Sequence, residues 1–313
     1  MPPELVDLTD QISLSPFQAL GIPIALIGAV FLALGAQFQH RGVNKVEAAS
    51  ISGGGQGLRV GQLLALLGRP SWVIGTVMLG LAIVLQLISL GLAPLLVVQP
   101  LGAVALVITA VVNARVSKVK LDAITVRAIA FCVGGIGLFV GVAAFTAQSK
   151  PIRQSELITV LVILAVVVIA FSIVFALVRH RVTTIFYIVG AGVLFGFVAT
   201  LAKVVIDRVK TLVITETSIG AAEWLTVLCV VALIAAAALG SYFVQTAYSS
   251  GPPDLVVAGL TVIDPMVAVS IGIVVLGEAA GAPVWAYFAF VLAGALAVYG
   301  VLQLAKHHPQ TTR

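Results

Sequence analysis

The sequence predicts an all-α polytopic membrane protein with about nine transmembrane helices. Three observations carry that fold class. Pro70 to Ala114 holds no charge and is interrupted only by Ser89-Leu90-Gly91-Leu92-Ala93-Pro94. A bilayer core takes about 20 apolar residues per helix, so this stretch is two spans joined by a tight turn. The same pattern returns from Trp224 to Pro253, from Pro265 to Gly277 and from Ala279 to Ala305. Finally, 61% of residues are hydrophobic and only 9% charged. Soluble domains run at roughly 45–50% apolar and about 25% charged, so no soluble core of this length hides that much apolar surface.

Taken in order, the chain opens with a tail, residues 1–16, that contains Glu4, Asp7 and Asp10 but neither Lys nor Arg. A secretory leader begins with a basic segment, so the span that follows is expected to be retained. Cutting the apolar runs at turn residues and charges places spans at 17–38, 71–91, 94–114, 128–146, 157–178, 184–206, 224–248, 255–276 and 284–304. In lipid only helices and closed barrels satisfy the backbone, and runs near 20 residues select helices.

The longest connection, residues 42–70, includes Ser52-Gly53-Gly54-Gly55-Gln56-Gly57. Without a preceding strand or a following Gly-Lys-Ser/Thr it reads as a flexible linker rather than a phosphate cradle. Leu58 to Leu67 is too short to span and is either an interfacial helix or the approach to the second span. Residues 305–313 form a tail in which His307 and His308 have no expected role.

Nine spans put the termini on opposite sides. With the N-terminus outside, the cytoplasm receives Arg41, Lys45, Arg59, Arg69, Arg115, Lys118, Lys120, Arg127, Arg179, Arg181, Lys306 and Arg313. The exterior receives only Lys150, Arg153, Lys203, Arg208 and Lys210. Cytoplasmic loops carry the Lys/Arg excess, which selects N-out, C-in across a plasma membrane. The net charge of +5 is therefore a matter of topology and not of nucleic-acid binding. Cys132 and Cys229 each sit inside an apolar run, where thiols act as small buried hydrophobes.

Pro94-Leu-Leu-Val-Val-Gln-Pro-Leu101 aligns without gaps on Pro253-Asp-Leu-Val-Val-Ala-Gly-Leu260, which pairs the third span with the eighth. An odd offset of five spans inverts one copy relative to the other, a recurrent transporter plan. The alternative is chance, since the residues are common in membranes. The halves would be 17–178, spans one to five, and 179–304, spans six to nine.

Polar residues within the spans are the candidates for function. Asp264 lies halfway along the eighth span and precedes Pro265. An acid at the bilayer centre costs on the order of 2.5–3.5 kcal/mol, so it must be protonated, paired or facing a wet cavity. Pro265 lacks an N–H and deprives the Thr261 carbonyl of its helical partner. Gln99-Pro100 makes a similar polar, Pro-containing step in the third span. Pro100 and Pro265 are thus expected to break their helices, and Gln99 and Asp264 to face one cavity.

Gln37, Gln86, Lys203, Gln245 and Tyr248 are further cavity candidates; Lys203 also has Asp207 one turn away as a structural partner. Glu278, at the end of the eighth span, and His40 with Arg41, at the end of the first, are solvated helix ends or a gate. Gly137 with Gly141, and Gly192 with Gly196, have the spacing for close helix contact. No G-x-S-x-G or H-E-x-x-H occurs, and no two histidines share a span. Neither an enzyme nor a cofactor is expected; whether a metal is bound is open, and so is a homodimer.

Several of these segments together resemble the drug/metabolite transporter (EamA-like) superfamily, in particular its NIPA-like magnesium transporter branch and bacterial relatives. Ala93-Pro-Leu-Leu-Val-Val-Gln-Pro-Leu-Gly-Ala103 is similar to that branch's third-helix motif, and Gln39-His-Arg-Gly42 to the end of its first helix. Gly196 to Lys203 resembles its sixth-helix Gly…Lys, and Val262-Ile-Asp-Pro-Met-Val-Ala268 with Leu276-Gly-Glu278 its eighth-helix motifs. The resemblance implies an alternating-access carrier with its cavity between two inverted halves. It also implies a Glu in the second helix, where this chain has Ile83.

The leading expectation is a secondary transporter of a small organic solute or lipid-linked metabolite. The alternatives are a carrier of magnesium or another divalent cation, and a non-transporting membrane scaffold or sensor.

Overall fold

The computed structural model describes residues 16–49, 67–116, 122–148, 152–178, 183–215, 223–251 and 253–306, and the structural statements below concern these. They form helices and short connections without a strand. The helices are α1 (Pro16–Ala49), α2 (Pro70–Leu92), α3 (Leu95–Gly102), α4 (Val104–Val116), α5 (Ala123–Thr146), α6 (Gln154–Val178), α7 (Thr184–Thr215), α8 (Glu223–Ser250), α9 (Pro253–Val274) and α10 (Val284–Lys306). With α3 and α4 counted as one crossing, 9 spans among the described residues are long and apolar enough to cross a membrane. The chain is a multi-pass helical membrane protein.

Most spans lie close to their expected positions, and the differences at their ends have local causes. α1 runs on through residues 42–49, where Gly42 stacks against Trp72 of α2. α5 begins earlier than expected because the Asp122 side chain caps it, accepting a hydrogen bond from the Thr125 amide at 2.9 Å. α7 outlasts its apolar run, since Asp207 pairs with Lys203 one turn back rather than ending the helix. The glycine-rich segment of the long connection lies outside the described residues.

The two prolines behave differently. Pro100 lies within α3 but is followed by a break: α3 stops two residues later at Gly102, and the Ala103 amide turns back to the Pro100 carbonyl at 3.2 Å before α4 begins. Pro265 does not, which corrects the sequence reading, because α9 continues through it to Val274. A proline removes one hydrogen bond, and α9 is held on both sides by α7 and α3.

Glycines set the closest helix contacts, as expected where lipid supplies no hydrophobic drive between helices. A methyl on Gly192 or Gly196 of α7 would lie 2.7 Å from Ile263 or Val267 of α9. One on Gly135 of α5 would lie 2.4 Å from the Ala297 amide of α10, and one on Gly300 would lie 2.3 Å from that of Cys132. Gly137 and Gly141 correct the other half of the expectation. They face open space, so the tight α5–α10 seam runs along the neighbouring face of that helix.

Packing follows a scheme of pairs. α1 lies on α2, and α7 on α8; α1 touches α3 and α4, and α7 touches α9; α3 touches α5, and α9 touches α10. Contacts of α3 with α9, α5 with α10 and α2 with α7 are the largest that cross between these groups. The segment Leu95–Val98 is almost wholly buried at the centre, whereas α6 shows most of its apolar surface outward. Both cysteines are free and buried, as their surroundings in the sequence indicate.

Candidate functional site

A cavity of about 560 Å³ opens between α1, α2, α3, α7 and α9, within the range of about 300–1,000 Å³ usual for ligand sites. Its polar lining is Gln86 from α2, Gln99 from α3, and Thr261 and Asp264 from α9. Its walls are apolar and include Leu32, Ile83, Leu87, Leu90, Phe195, Val198 and Leu260. Asp264 reaches it because Gly192 and Gly196 bring α7 against the same stretch of α9. The Asp264 Oδ1 atom is buried and has no hydrogen-bond donor among the described residues. Pro100, Ala103, Thr261 and Pro265 also line a smaller apolar crevice of about 90 Å³ with α5 and α10.

Leu90 and Ala202 of this cavity's lining adjoin a buried clamp around the α2–α3 turn. Helix ends leave backbone groups without intrahelical partners, and the turn at Ala93 and Leu95 is fully buried away from water. Both sets of orphan groups are met by charged side chains. The Lys203 ammonium donates to the carbonyls of Leu90 and Ala93 at 2.8 and 3.2 Å, capping the C-terminal end of α2. The Glu278 carboxylate accepts from the amides of Leu95 and Leu96, both at 2.8 Å, capping the N-terminal end of α3.

Each charge sits at the helix end whose dipole favours it. Asp207 pairs with Lys203 at 2.9 Å, and Lys210 donates to the Gly91 carbonyl. Ser89 Oγ adds a bond to the Gly21 carbonyl at 2.8 Å, tying the turn to α1.

Local chain geometry delivers Glu278. Gly277 has φ 63°, a left-handed conformation suited to glycine, and it folds the chain back after α9. The Glu278 amide then donates to Gly272 O at 3.0 Å. Gly272 leaves room for the acid, since a methyl there would lie 2.9 Å from Oε2. Burial pushes the Glu278 pKa above its ordinary value; the two amides and Lys203 pull the other way, while Asp207 adds to the rise. With both oxygens accepting N–H bonds, the geometry is that of a carboxylate.

The sequence candidates divide accordingly. Gln86, Gln99 and Asp264 line the same cavity. Lys203 does not join them: it is 3% exposed and engaged at the clamp. Gln37 is also elsewhere, donating to Asn113 of α4 near the opposite end of α1. Gln245 and Tyr248 face outward on the peripheral α8, Tyr248 being 41% exposed. Glu278 is a buried cap at 3% exposure, not a solvated helix end. Arg41 is exposed and lies over the Phe38 ring at 5.7 Å, whereas His40 belongs to α1 but its side chain is outside the described ones.

Phe195, Leu90 and the Glu278–amide contact were missed by sequence reasoning. A signal for the last existed. The turn between two spans at Leu92-Ala93-Pro94 carries no polar side chain, so its backbone had to find partners elsewhere. Lys203 and Glu278 are among the charges near the span ends on that side of the bundle.

An uncharacterized protein of Corynebacterium glutamicum is 25% identical to this chain over 287 residues, covering 92% of this chain and 95% of its own length. The likeness thus runs end to end and carries no activity with it. No family model matches the sequence, and no solved structure does.

Proposed function

We propose that the protein is an alternating-access secondary transporter of a small organic solute, with the α3–α9 cavity as its binding site and the Lys203–Glu278 clamp as a closed gate. The observation that carries this reading is that gate and cavity share residues. Leu90 lines the cavity, and its carbonyl is one of the two that Lys203 holds. Ala202, next to Lys203, lines the cavity as well. Releasing the clamp therefore frees the cavity's own roof.

The paired helix contacts support the inverted-repeat part of the proposal. Exchanging α1, α2, α3–α4 and α5 for α7, α8, α9 and α10 maps most of the contacts onto one another, and α3–α9 and α5–α10 onto themselves. A cavity at the interface of such halves is where transporters bind substrate, and membership of the drug/metabolite transporter superfamily would account for it. By the positive-inside rule the clamp end faces outward. The divalent-cation alternative finds less support: among the described residues no three of His, Cys, Asp and Glu converge, and Ile83 occupies the cavity wall.

The test is two-sided accessibility in proteoliposomes. A cysteine replacing cavity-lining Ala199 is reacted with a membrane-impermeant thiol reagent from either side, with buried Cys132 and Cys229 setting the background. Ala199→Cys alone should label from the side opposite the clamp, and adding Glu278→Ala should open labelling from the clamp side. Labelling whose sidedness ignores Glu278→Ala, or no labelling at all, would overturn the reading.

A further inference from the structure

The cavity's charge balance points to a class of ligand. Among the described residues that line it, Asp264 is the one ionisable side chain, and no Lys, Arg or His is present. Lys203, the nearest candidate counter-charge in sequence terms, is occupied by two carbonyls and Asp207. The Asp264 carboxyl lines the cavity and its Oδ1 has no donor among the described residues, so a cation finds a counter-charge here whereas an anion finds only the neutral donors of Gln86, Gln99 and Thr261. A buried ionised group is tolerated when paired.

The rest of the wall fixes the kind of cation. A divalent ion takes several oxygen ligands or keeps its waters, and one carboxylate among leucines and valines offers neither enough oxygen nor enough charge. Apolar side chains instead suit a ligand with a hydrocarbon body. Phe195 adds an aromatic ring to the same cavity, the surface that desolvated ammonium groups prefer. Gln86 and Gln99 supply neutral donors and acceptors for orientation.

Resting on the transporter reading only for its biological purpose, we infer that this cavity binds a monovalent organic cation with an apolar body. Asp264 is its counter-ion, and Phe195 and the leucines receive its hydrocarbon part. At about 560 Å³ the space fits a small arylalkyl ammonium.

The experiment is equilibrium binding to the purified full chain in detergent by calorimetry, which requires no transport. The probes are benzyltrimethylammonium, its uncharged isostere neopentylbenzene, phenylacetate and Mg²⁺. Benzyltrimethylammonium should bind saturably and at least about tenfold more tightly than neopentylbenzene, with phenylacetate and Mg²⁺ silent at the same concentrations. Asp264→Asn, close in shape, should remove that preference while keeping residual binding of the apolar body. Phe195→Leu should weaken the cation more than the isostere.

Equal binding of cation and isostere, tighter binding of phenylacetate or Mg²⁺, or no binding of any probe would each overturn the inference. So would a cation preference that survives in Asp264→Asn. The transporter reading would stand or fall separately, on the sidedness of Ala199→Cys labelling.

Discussion

Asp264, half-buried within α9, and Glu278, buried in the turn that ends it, are both acids set into the bundle, and they are handled in opposite ways. Glu278 has each oxygen on a backbone amide and a lysine nearby. Asp264 has an oxygen with no donor among the described residues. Burying a carboxylate is costly unless its acceptors are filled, so a chain that retains both acids uses them differently. The satisfied one holds two helices together. On the proposed reading, the unsatisfied one is completed by a bound ligand. Composition and depth in the sequence do not separate these two roles, whereas the hydrogen bonds do.

The comparison is broken first at Glu278, where the largest loss of stability is expected. Glu278→Ala leaves the two buried amides of Leu95 and Leu96 unpaired, and each stranded buried donor costs about 1–3 kcal/mol, more where its partner was charged. Thermal unfolding in detergent should show a large fall in Tm. Lys203→Met should cost less, about 2–3 kcal/mol, since it strands carbonyls rather than amides and leaves Asp207 partly exposed. The double variant should be less damaging than the two losses added, because both act on one turn. Strict additivity would mean that the two charges act independently and that no clamp exists.

Much of this architecture was legible in the sequence, and the part that was not has a physical reason. Span number and approximate limits follow from apolar run lengths, because the bilayer imposes one length scale on every helix. Asp264, Gln99 and Gln86 were found because a polar group deep in a span must have a use. Depth could not say which way Gln245 and Tyr248 face. That depends on α8 lying at the periphery, a tertiary fact to which a helix of nearly uniform hydrophobicity gives no clue. Lys203 and Glu278 were misplaced for the same reason from the other direction. Their partners are main-chain atoms of a distant turn, and every residue has those atoms, so no side-chain pattern marks them. Pro265 shows a third limit: a proline removes one hydrogen bond, and packing on both flanks decides whether the helix survives.

A smaller effect sharpens the contrast without removing any polar group. Gly272 is the space in which the Glu278 carboxylate sits, a methyl there meeting Oε2 at 2.9 Å. Gly272→Ala gains helix propensity of about 1 kcal/mol but must push the acid off its amides. The net expected loss is about 1–2 kcal/mol in thermal stability, and it should vanish in a Glu278→Ala background, where no carboxylate remains to be displaced. A loss of the same size in that background would assign the strain to the backbone of α9 instead.

Asp264→Asn should change stability least of all, and its sign is the informative part. If the carboxyl were a structural cap like Glu278, its removal would cost several kcal/mol by the same reasoning. A group whose buried oxygen has no donor loses nothing when it is neutralised, and a site kept for a ligand is commonly held at some expense to the fold. The expected outcome is a Tm equal to or above that of the parent, within about 1 kcal/mol, together with loss of the cation preference. A stability loss comparable to that of Glu278→Ala would mean that Asp264 is already satisfied in the folded protein. The two acids would then be alike, and the cavity would lose the one feature that marks it as a site.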